Sequence, residues 1–182
     1  MKHCGFLLST NFWTAFGAVG AAAAAIATAV SVFLAYNVYG TAVQQARVEA
    51  SVEYSLRFMA GEILQAQVEL RNTLTEFPAI RLARTEGGGE VIDDSIVRIL
   101  RDPNRTVDDS LITLVSFFDA AGRCVEGRVC DAATLCAQIG DQVASIQNFY
   151  GGGINYLRKE RGFTLLGDGL TALAITSECQ AT

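Results

Sequence analysis

The chain has 182 residues, of which 51% are hydrophobic and 18% are charged, and its formal net charge at pH 7 is -5. Its 14 Lys and Arg residues are scattered, with one tight group at Arg158, Lys159 and Arg161. Nucleic acids require a basic patch, so this distribution argues against them as partners. We expect an all-α fold, in which a single N-terminal transmembrane helix precedes a small helical domain with an antiparallel αα-hairpin.

An uncharged segment dominates the beginning of the chain, after a short N-terminal segment at residues 1–11. Residues 4–46 contain no Asp, Glu, Lys or Arg, and we predict a transmembrane helix over residues 12–39. A helix from residue 13 to residue 36 rises about 34 Å, close to the thickness of a bilayer's hydrocarbon core. Aromatic residues at both ends are typical of membrane interfaces, and the predicted anchors are Phe12, Trp13, Phe16, Phe33, Tyr36 and Tyr39.

Two alternatives explain this segment without a permanent span. One is a buried Ala-rich helix in a soluble core, which would need a larger protein around it. The other is a cleaved signal peptide, but the segment exceeds the ~7–15 apolar residues of such a peptide. An uncleaved anchor is therefore the better interpretation, and membrane lipid is an expected partner.

Small residues recur inside the predicted span. Gly17, Ala21 and Ala25 are four residues apart, so they lie on one face of a helix. Small residues at this spacing allow two membrane helices to approach closely. We therefore predict a helix-packing face here, with homo-oligomerisation as one consequence.

An amphipathic helix is predicted over residues 41–77, where Pro78 ends it. Apolar residues recur at steps of three and four: Val52, Leu56, Met59, Ile63, Ala66, Leu70 and Leu74. The stripe covers only about three heptads, so we expect it to pack within its own domain rather than in a coiled coil. Residues 78–107 then form a loop with a short helix over residues 93–101.

A helical hairpin and a short helix are predicted over residues 108–161. The first helix carries its apolar positions at helical spacing, and Asp131 can cap the second helix. We expect Gly151, Gly152 and Gly153 to end the second helix, with the short helix over residues 154–161 and a C-terminal tail over residues 162–182. The adjacent pairs Asp93/Asp94 and Asp108/Asp109 are expected to cap helices, rather than to bind metal.

The chemistry of the chain points away from catalysis. Its one histidine, His3, precedes the predicted span, so a Ser–His or Cys–His pair is unavailable to the domain. Asp119 follows two phenylalanines, and we expect it to be partly buried and paired with Arg123. We predict no enzyme activity, no cofactor, no metal site and no catalytic residue.

Four cysteines follow the predicted span: Cys124, Cys130, Cys136 and Cys179. Their even number permits two disulfides in an oxidising compartment. Three of them fall within or beside predicted helices, however, where a free cysteine behaves as a small apolar residue. We therefore expect reduced thiols and a cytoplasmic C-terminal domain, with Cys124 and Cys130 as candidate redox thiols beside the hairpin turn. Basic residues on the two sides of the span are too evenly divided to set the orientation.

Part of the hairpin has a recurrent pattern: Leu114-Val115-Ser116-Phe117-Phe118-Asp119, then Val125-Glu126-Gly127-Arg128-Val129-Cys130-Asp131, then Ile139-Gly140. It resembles a pattern in uncharacterised bacterial families of short single-pass membrane proteins. These have a span, an amphipathic helix, a helix with an aromatic residue, Phe and an acid, and a Gly-x-hydrophobic-x-Asp turn. The family more often has Glu at the position of Asp119. The resemblance implies a bitopic membrane protein and transfers no catalytic residue.

A second resemblance concerns the beginning of the chain. Gly5-Phe6 ahead of a long apolar helix is similar to the processing site of type IV pilins, which also continue a membrane helix into an amphipathic one. Pilins usually carry Glu where this chain has Thr10. This resemblance implies a subunit of an envelope assembly.

Two functions follow as hypotheses. In the first, the chain is a bitopic protein of the cell membrane with a cytoplasmic domain, acting through contacts with other membrane or cytoplasmic proteins as a scaffold, sensor or regulatory subunit. In the alternative, it is an extracytoplasmic structural subunit of an envelope or pilin-like assembly, stabilised by disulfides. The side of the membrane and the state of the thiols distinguish the two.

Overall fold

The computed structural model describes residues 10–76, 89–102 and 107–180, and these ranges contain helices and no strand. The predicted all-α class is confirmed. The helices are α1 (Thr10–Phe58), α2 (Gly61–Glu76), α3 (Gly89–Leu100), α4 (Val107–Glu126), α5 (Ala132–Glu160), α6 (Asp168–Ala174) and α7 (Ser177–Gln180). The chain divides into two compact units, Met1–Gln44 and Gln45–Thr182.

The first unit is represented by residues 10–44 of α1. Alanine is the strongest helix former, and no proline or charge interrupts this stretch. Among the side chains that the structure describes between residues 20 and 42, all are exposed.

The second unit begins with residues 45–58 of α1, and here the structure differs from the predicted helix over residues 41–77. α1 ends at Phe58 and α2 starts at Gly61, whose φ of 58° is in the left-handed region that favours glycine. The Gln67 side chain donates a hydrogen bond to the Phe58 carbonyl at 2.8 Å, which satisfies one acceptor at the end of α1. A break between α1 and α2 therefore interrupts the region that the apolar periodicity predicts as one helix.

The buried face of α1 in the second unit also differs from the prediction. Ser51, Ser55 and Phe58 are buried, whereas Val52, Leu56 and Met59 are exposed. The predicted stripe reaches the core only in α2, where Ala66 and Leu70 are buried. An aromatic cluster explains the orientation, because the Phe58 ring lies 5.5 Å from the Phe117 ring and 5.4 Å from the Phe118 ring, between centroids.

The predicted αα-hairpin is formed by α4 and α5, joined by residues 127–131. Asp131 is the N-cap of α5, as predicted, and its carboxylate accepts a hydrogen bond from the Thr134 amide at 2.9 Å. The aromatic cluster and the apolar faces of α2 to α6 together form the core. The hairpin therefore acts as the scaffold on which the other helices of this unit pack.

The triple glycine does not end the second hairpin helix, which corrects the prediction. α5 continues through Gly151, Gly152 and Gly153 to Glu160. A Cβ on Gly152 would lie 2.6 Å from Cβ of Asp93, and one on Gly153 would lie 2.8 Å from a methyl group of Ile96. Gly152 and Gly153 therefore allow α3 to lie close to α5, rather than forming a turn.

The predicted C-terminal tail is largely part of the folded unit. Leu166, Leu170 and Leu173 are buried in the core, the last two within α6. The short helix α7 packs against α5. Packing of α6 and α7 places Cys179 beside Cys136 of α5.

Candidate functional site

The described part of the candidate membrane helix has the composition and length that a span needs. The part of α1 from Ala23 to Phe58 lies near the N-terminus and contains an apolar stretch with a mean hydropathy of 1.5. None of the residues in that stretch is buried. This is one helix long and apolar enough to cross a membrane. Phe33, Tyr36 and Tyr39 are all exposed, Tyr36 by 77%. The side chains of the other three predicted anchors, Phe12, Trp13 and Phe16, lie outside the described residues.

Polar side chains in this helix bond to its own backbone. The hydroxyl groups of Thr28 and Ser31 donate to carbonyl oxygens four residues earlier, at 2.9 and 2.8 Å, and the Asn37 amide does the same at 2.9 Å. In a hydrocarbon environment, every polar group without a partner is costly. These three polar groups are therefore satisfied within the helix itself.

The predicted helix-packing face is open in the single chain. Ala21 and Ala25 are exposed. Gly17 belongs to α1, but its surroundings lie outside the described residues. Its use in self-association remains a prediction.

All four cysteines that follow the candidate membrane helix are paired in disulfides. Cys124 bonds to Cys130, with Cα atoms 5.2 Å apart, and Cys136 bonds to Cys179, with Cα atoms 4.8 Å apart. The expectation of reduced thiols is therefore wrong. Cys124 and Cys130 do meet at the hairpin turn as the sequence suggested, but as a disulfide. The argument for a cytoplasmic domain loses its basis, because disulfides persist mainly in oxidising compartments.

Asp131, the last residue of the turn that the Cys124–Cys130 disulfide closes, attaches this turn to α1. The Asp131 amide donates to Ser51 Oγ at 2.8 Å and lies 3.3 Å from the Arg47 carbonyl. The Ser51 hydroxyl lies 2.9 Å from the Arg47 carbonyl oxygen and 3.1 Å from the Asp131 carbonyl oxygen, so it is within donating distance of both. We call this arrangement of Arg47, Ser51 and Asp131 the latch. It joins α1 to the start of α5.

Asp119 is a structural acid. It is only 2% exposed, and its carboxylate accepts hydrogen bonds from the amides of Gly167 at 2.7 Å and Leu170 at 3.0 Å. These amides belong to the N-terminus of α6, where backbone donors lack partners within the helix. The expected pair with Arg123 is wrong, because Arg123 is exposed and the carboxylate is occupied by α6.

The other acidic and basic candidates also have structural roles. Asp93 lies within α3 and accepts from the Gly152 amide at 3.0 Å, so it joins two helices and does not cap its own. Asp108 and Asp109 lie in the first turn of α4, where the helix dipole favours acids.

The basic group near the end of α5 forms ion pairs. Arg161 lies 2.6 Å from Asp108, and this hydrogen bond and the carboxylate charge raise the pKa of the guanidinium. Arg158 pairs with Asp168 at 2.9 Å.

An exposed apolar stripe is the feature that the fold leaves unexplained. Val52, Leu56 and Met59 follow one another on one face at the end of α1, and both Leu56 and Met59 are 64% exposed. We call these three residues the α1 stripe. On α2, Leu64 and Val68 are also exposed. Such surfaces mark contacts with other molecules more often than single exposed residues do.

Comparisons with known protein families, with curated proteins and with solved structures find no match. The candidate sites therefore rest on the residues of this chain alone. Sequence reasoning missed the latch, because Arg47 and Ser51 are separated from Asp131 by some 80 residues. It also missed the exposure of the α1 stripe, since periodicity identifies an apolar face without identifying its partner.

Proposed function

We propose that the chain is a single-span membrane protein whose helical unit, Gln45–Thr182, lies on the oxidising side of the membrane and works by binding other proteins. The two disulfides carry this proposal. Both cysteine pairs of the unit are joined, and in reducing compartments thiols of this kind are kept apart. Of the two hypotheses from the sequence, the extracytoplasmic subunit is therefore the better supported.

The placement in the membrane is supported by the helix itself. The span is uncharged, its described side chains are exposed, and its hydroxyl and amide groups bond to its own backbone. We propose the cell membrane as the location, with the helix as an uncleaved anchor. The oxidising side then places the N-terminus in the reducing compartment.

The α1 stripe supports action by protein contact. It lies on the helix that carries the span, and its three apolar side chains face solvent instead of the domain core. A partner that binds there would bury the apolar area and gain about 25 cal/mol for each Å² removed from water. The protein would serve as a structural or regulatory subunit without catalysis of its own.

Photo-crosslinking in intact membranes tests the proposal. A photoreactive amino acid at Leu56 should give a discrete protein adduct, and a second substitution, Val52→Asp, should abolish it. The same probe at Glu53 is the matched control, because that side chain is exposed on the same helix but lies about 90° around it from the stripe. Two differently tagged copies would identify a self-adduct. Equal adducts at both positions, or no protein adduct at Leu56, would contradict the proposal.

A further inference from the structure

The hairpin turn of the second unit is held from two sides. On one side the disulfide joins Cys130 to Cys124 of α4, and on the other the latch joins Asp131 to α1. Cys130 and Asp131 are consecutive, so the covalent tie and the hydrogen-bonded tie meet within two residues. We propose that the Cys124–Cys130 disulfide is a redox-sensitive staple, and that its reduction disengages the latch and releases residues 45–58 of α1 from the turn.

Backbone hydrogen bonds also hold the turn to the end of α4. The amides of Gly127 and Arg128 donate to the carbonyls of Arg123 and Val125, and the amides of Val129 and Cys130 both donate to the Cys124 carbonyl. Residues 126–129 are all exposed, and Cys130 is the first buried residue after α4, at 4% exposure. Arg128 has a φ of 56°, in the left-handed region where a side chain is disfavoured. Such a conformation persists when the surroundings fix it. The disulfide is the covalent closure of this loop. Without it we expect the backbone hydrogen bonds of the turn to open more often, which would let Asp131 move away from Ser51.

One buried group beside the latch would gain from its release. The Nε atom of Arg47 is buried and has no hydrogen-bond partner among the residues that the structure describes. A buried donor without a partner costs free energy that is recovered when the group reaches water. Disengaging α1 would allow Nε to be hydrated, so the closed latch depends on its remaining contacts. The disulfide preserves the geometry of those contacts.

The redox step is an exchange with a dithiol, which is the class of reductant that we specify. A thiolate of the dithiol attacks the sulfur of Cys124, the partly exposed member of the pair. The sulfur of Cys130 leaves as a thiolate and takes a proton. The second thiol of the reductant then displaces Cys124 from the mixed disulfide. Two electrons and two protons pass to the protein, and the dithiol becomes a disulfide.

The second disulfide offers a matched control. Cys136–Cys179 joins α5 to α7 and includes no member of the latch. Its loss should free the short C-terminal helix while Asp131 stays bonded to Ser51. The proposal therefore predicts that only one of the two disulfides affects the latch. A general loss of stability would instead follow the removal of either disulfide.

Hydrogen exchange measured by mass spectrometry on the full chain in detergent micelles tests this inference. The double variant Cys124→Ser/Cys130→Ser should exchange the Asp131 amide at least tenfold faster than the wild type, with faster exchange also over residues 45–58. The control Cys136→Ser/Cys179→Ser should stay within about twofold at both places. Excess dithiothreitol on the wild type should reproduce the first result, and should add nothing at the latch of the first variant.

Exchange around Val115, which is fully buried in α4, serves as the internal reference. If it rises in step with exchange at the latch, the variant is unfolding globally and the proposal is overturned. Equal effects of the two double variants, or unchanged exchange at Asp131 in the first, would also overturn it. The dithiothreitol arm keeps the test independent of any folding defect in a variant, because it starts from the folded wild type.

Discussion

Gly122 of α4 and Gly169 of α6 bring the backbones of their helices into direct contact. A Cβ on Gly122 would lie 2.6 Å from the carbonyl carbon of Gly169, and a Cβ on Gly169 would lie 2.6 Å from Cα of Asp119. The same crossing delivers the amides of Gly167 and Leu170 to the buried Asp119 carboxylate. Two glycines and one acid therefore fix the position of α6 on the hairpin.

Replacing Gly122 by alanine should force α4 and α6 apart. Added volume at a close-packed contact costs about 1–3 kcal/mol, and here the obstruction is backbone, which has no alternative rotamer. We expect the free energy of unfolding, measured by denaturant titration in micelles, to fall by about that amount. Gly151→Ala is the control, because this glycine lies inside α5 and the Cβ of an alanine there would have no atom within 4 Å. It should be neutral or stabilising, by up to about 1 kcal/mol; similar losses in both variants would refute the close crossing.

Asp119→Ala should destabilise the attachment of α6. The substitution leaves two buried amides without an acceptor, at about 1–3 kcal/mol for an unsatisfied buried group. We expect a lower unfolding free energy and faster hydrogen exchange in α6 than in α5. Asp141→Ala, an exposed position on α5, should change stability by less than about 0.5 kcal/mol. An Asp119→Ala protein as stable as the wild type would contradict the capping role.

Tyr150 should make stability fall at alkaline pH. Burial raises the pKa of its phenol from 10.0 to about 12, because desolvation penalises the phenolate. The folded state then keeps a proton that the unfolded state loses, so the contribution is fully present below pH 10 and is lost as pH rises towards 12. Between pH 9 and pH 11, the wild type should lose about 1 kcal/mol more unfolding free energy than Tyr150→Phe does. Parallel pH profiles for the two proteins would rule out this effect.

The two disulfides should contribute unequally to global stability. Their cysteines are separated by 6 and by 43 residues. In the chain-entropy account, a longer closed loop constrains the unfolded state more, which gives about 2 kcal/mol for the first disulfide and about 4 kcal/mol for the second. Denaturant unfolding of the two double serine variants measures both values. A larger loss for the Cys124–Cys130 pair would show that native-state contacts outweigh loop entropy.

The sequence predicted those parts of the fold that depend on local signals. Helical periodicity and the Asp131 cap fixed the hairpin, because each acts over a few neighbouring residues. The triple glycine was misinterpreted, since its effect depends on α3 lying against Gly152 and Gly153. In isolation, glycines weaken a helix, whereas in this fold they permit a close contact.

The candidate sites were less predictable for a similar reason. Val52, Leu56 and Met59 form the more apolar face of α1, yet the aromatic cluster around Phe58 turns Ser51 and Ser55 inwards. The Cys136–Cys179 disulfide depends on the packing of α6 and α7, which returns residue 179 to α5. Long-range contacts of this kind have no signature in the spacing of residues along the chain.

Thiol labelling of a Cys4→Ser variant in intact cells tests the central claim most directly. The substitution removes the one cysteine that precedes the candidate membrane helix, so a membrane-impermeant maleimide reports only on the helical unit. We predict that intact cells are labelled only after treatment with reductant, because the four cysteines lie on the oxidising side and become thiols that react with maleimide only when their disulfides are reduced. Labelling that requires permeabilisation but no reductant would place reduced thiols in the cytoplasm and contradict the account.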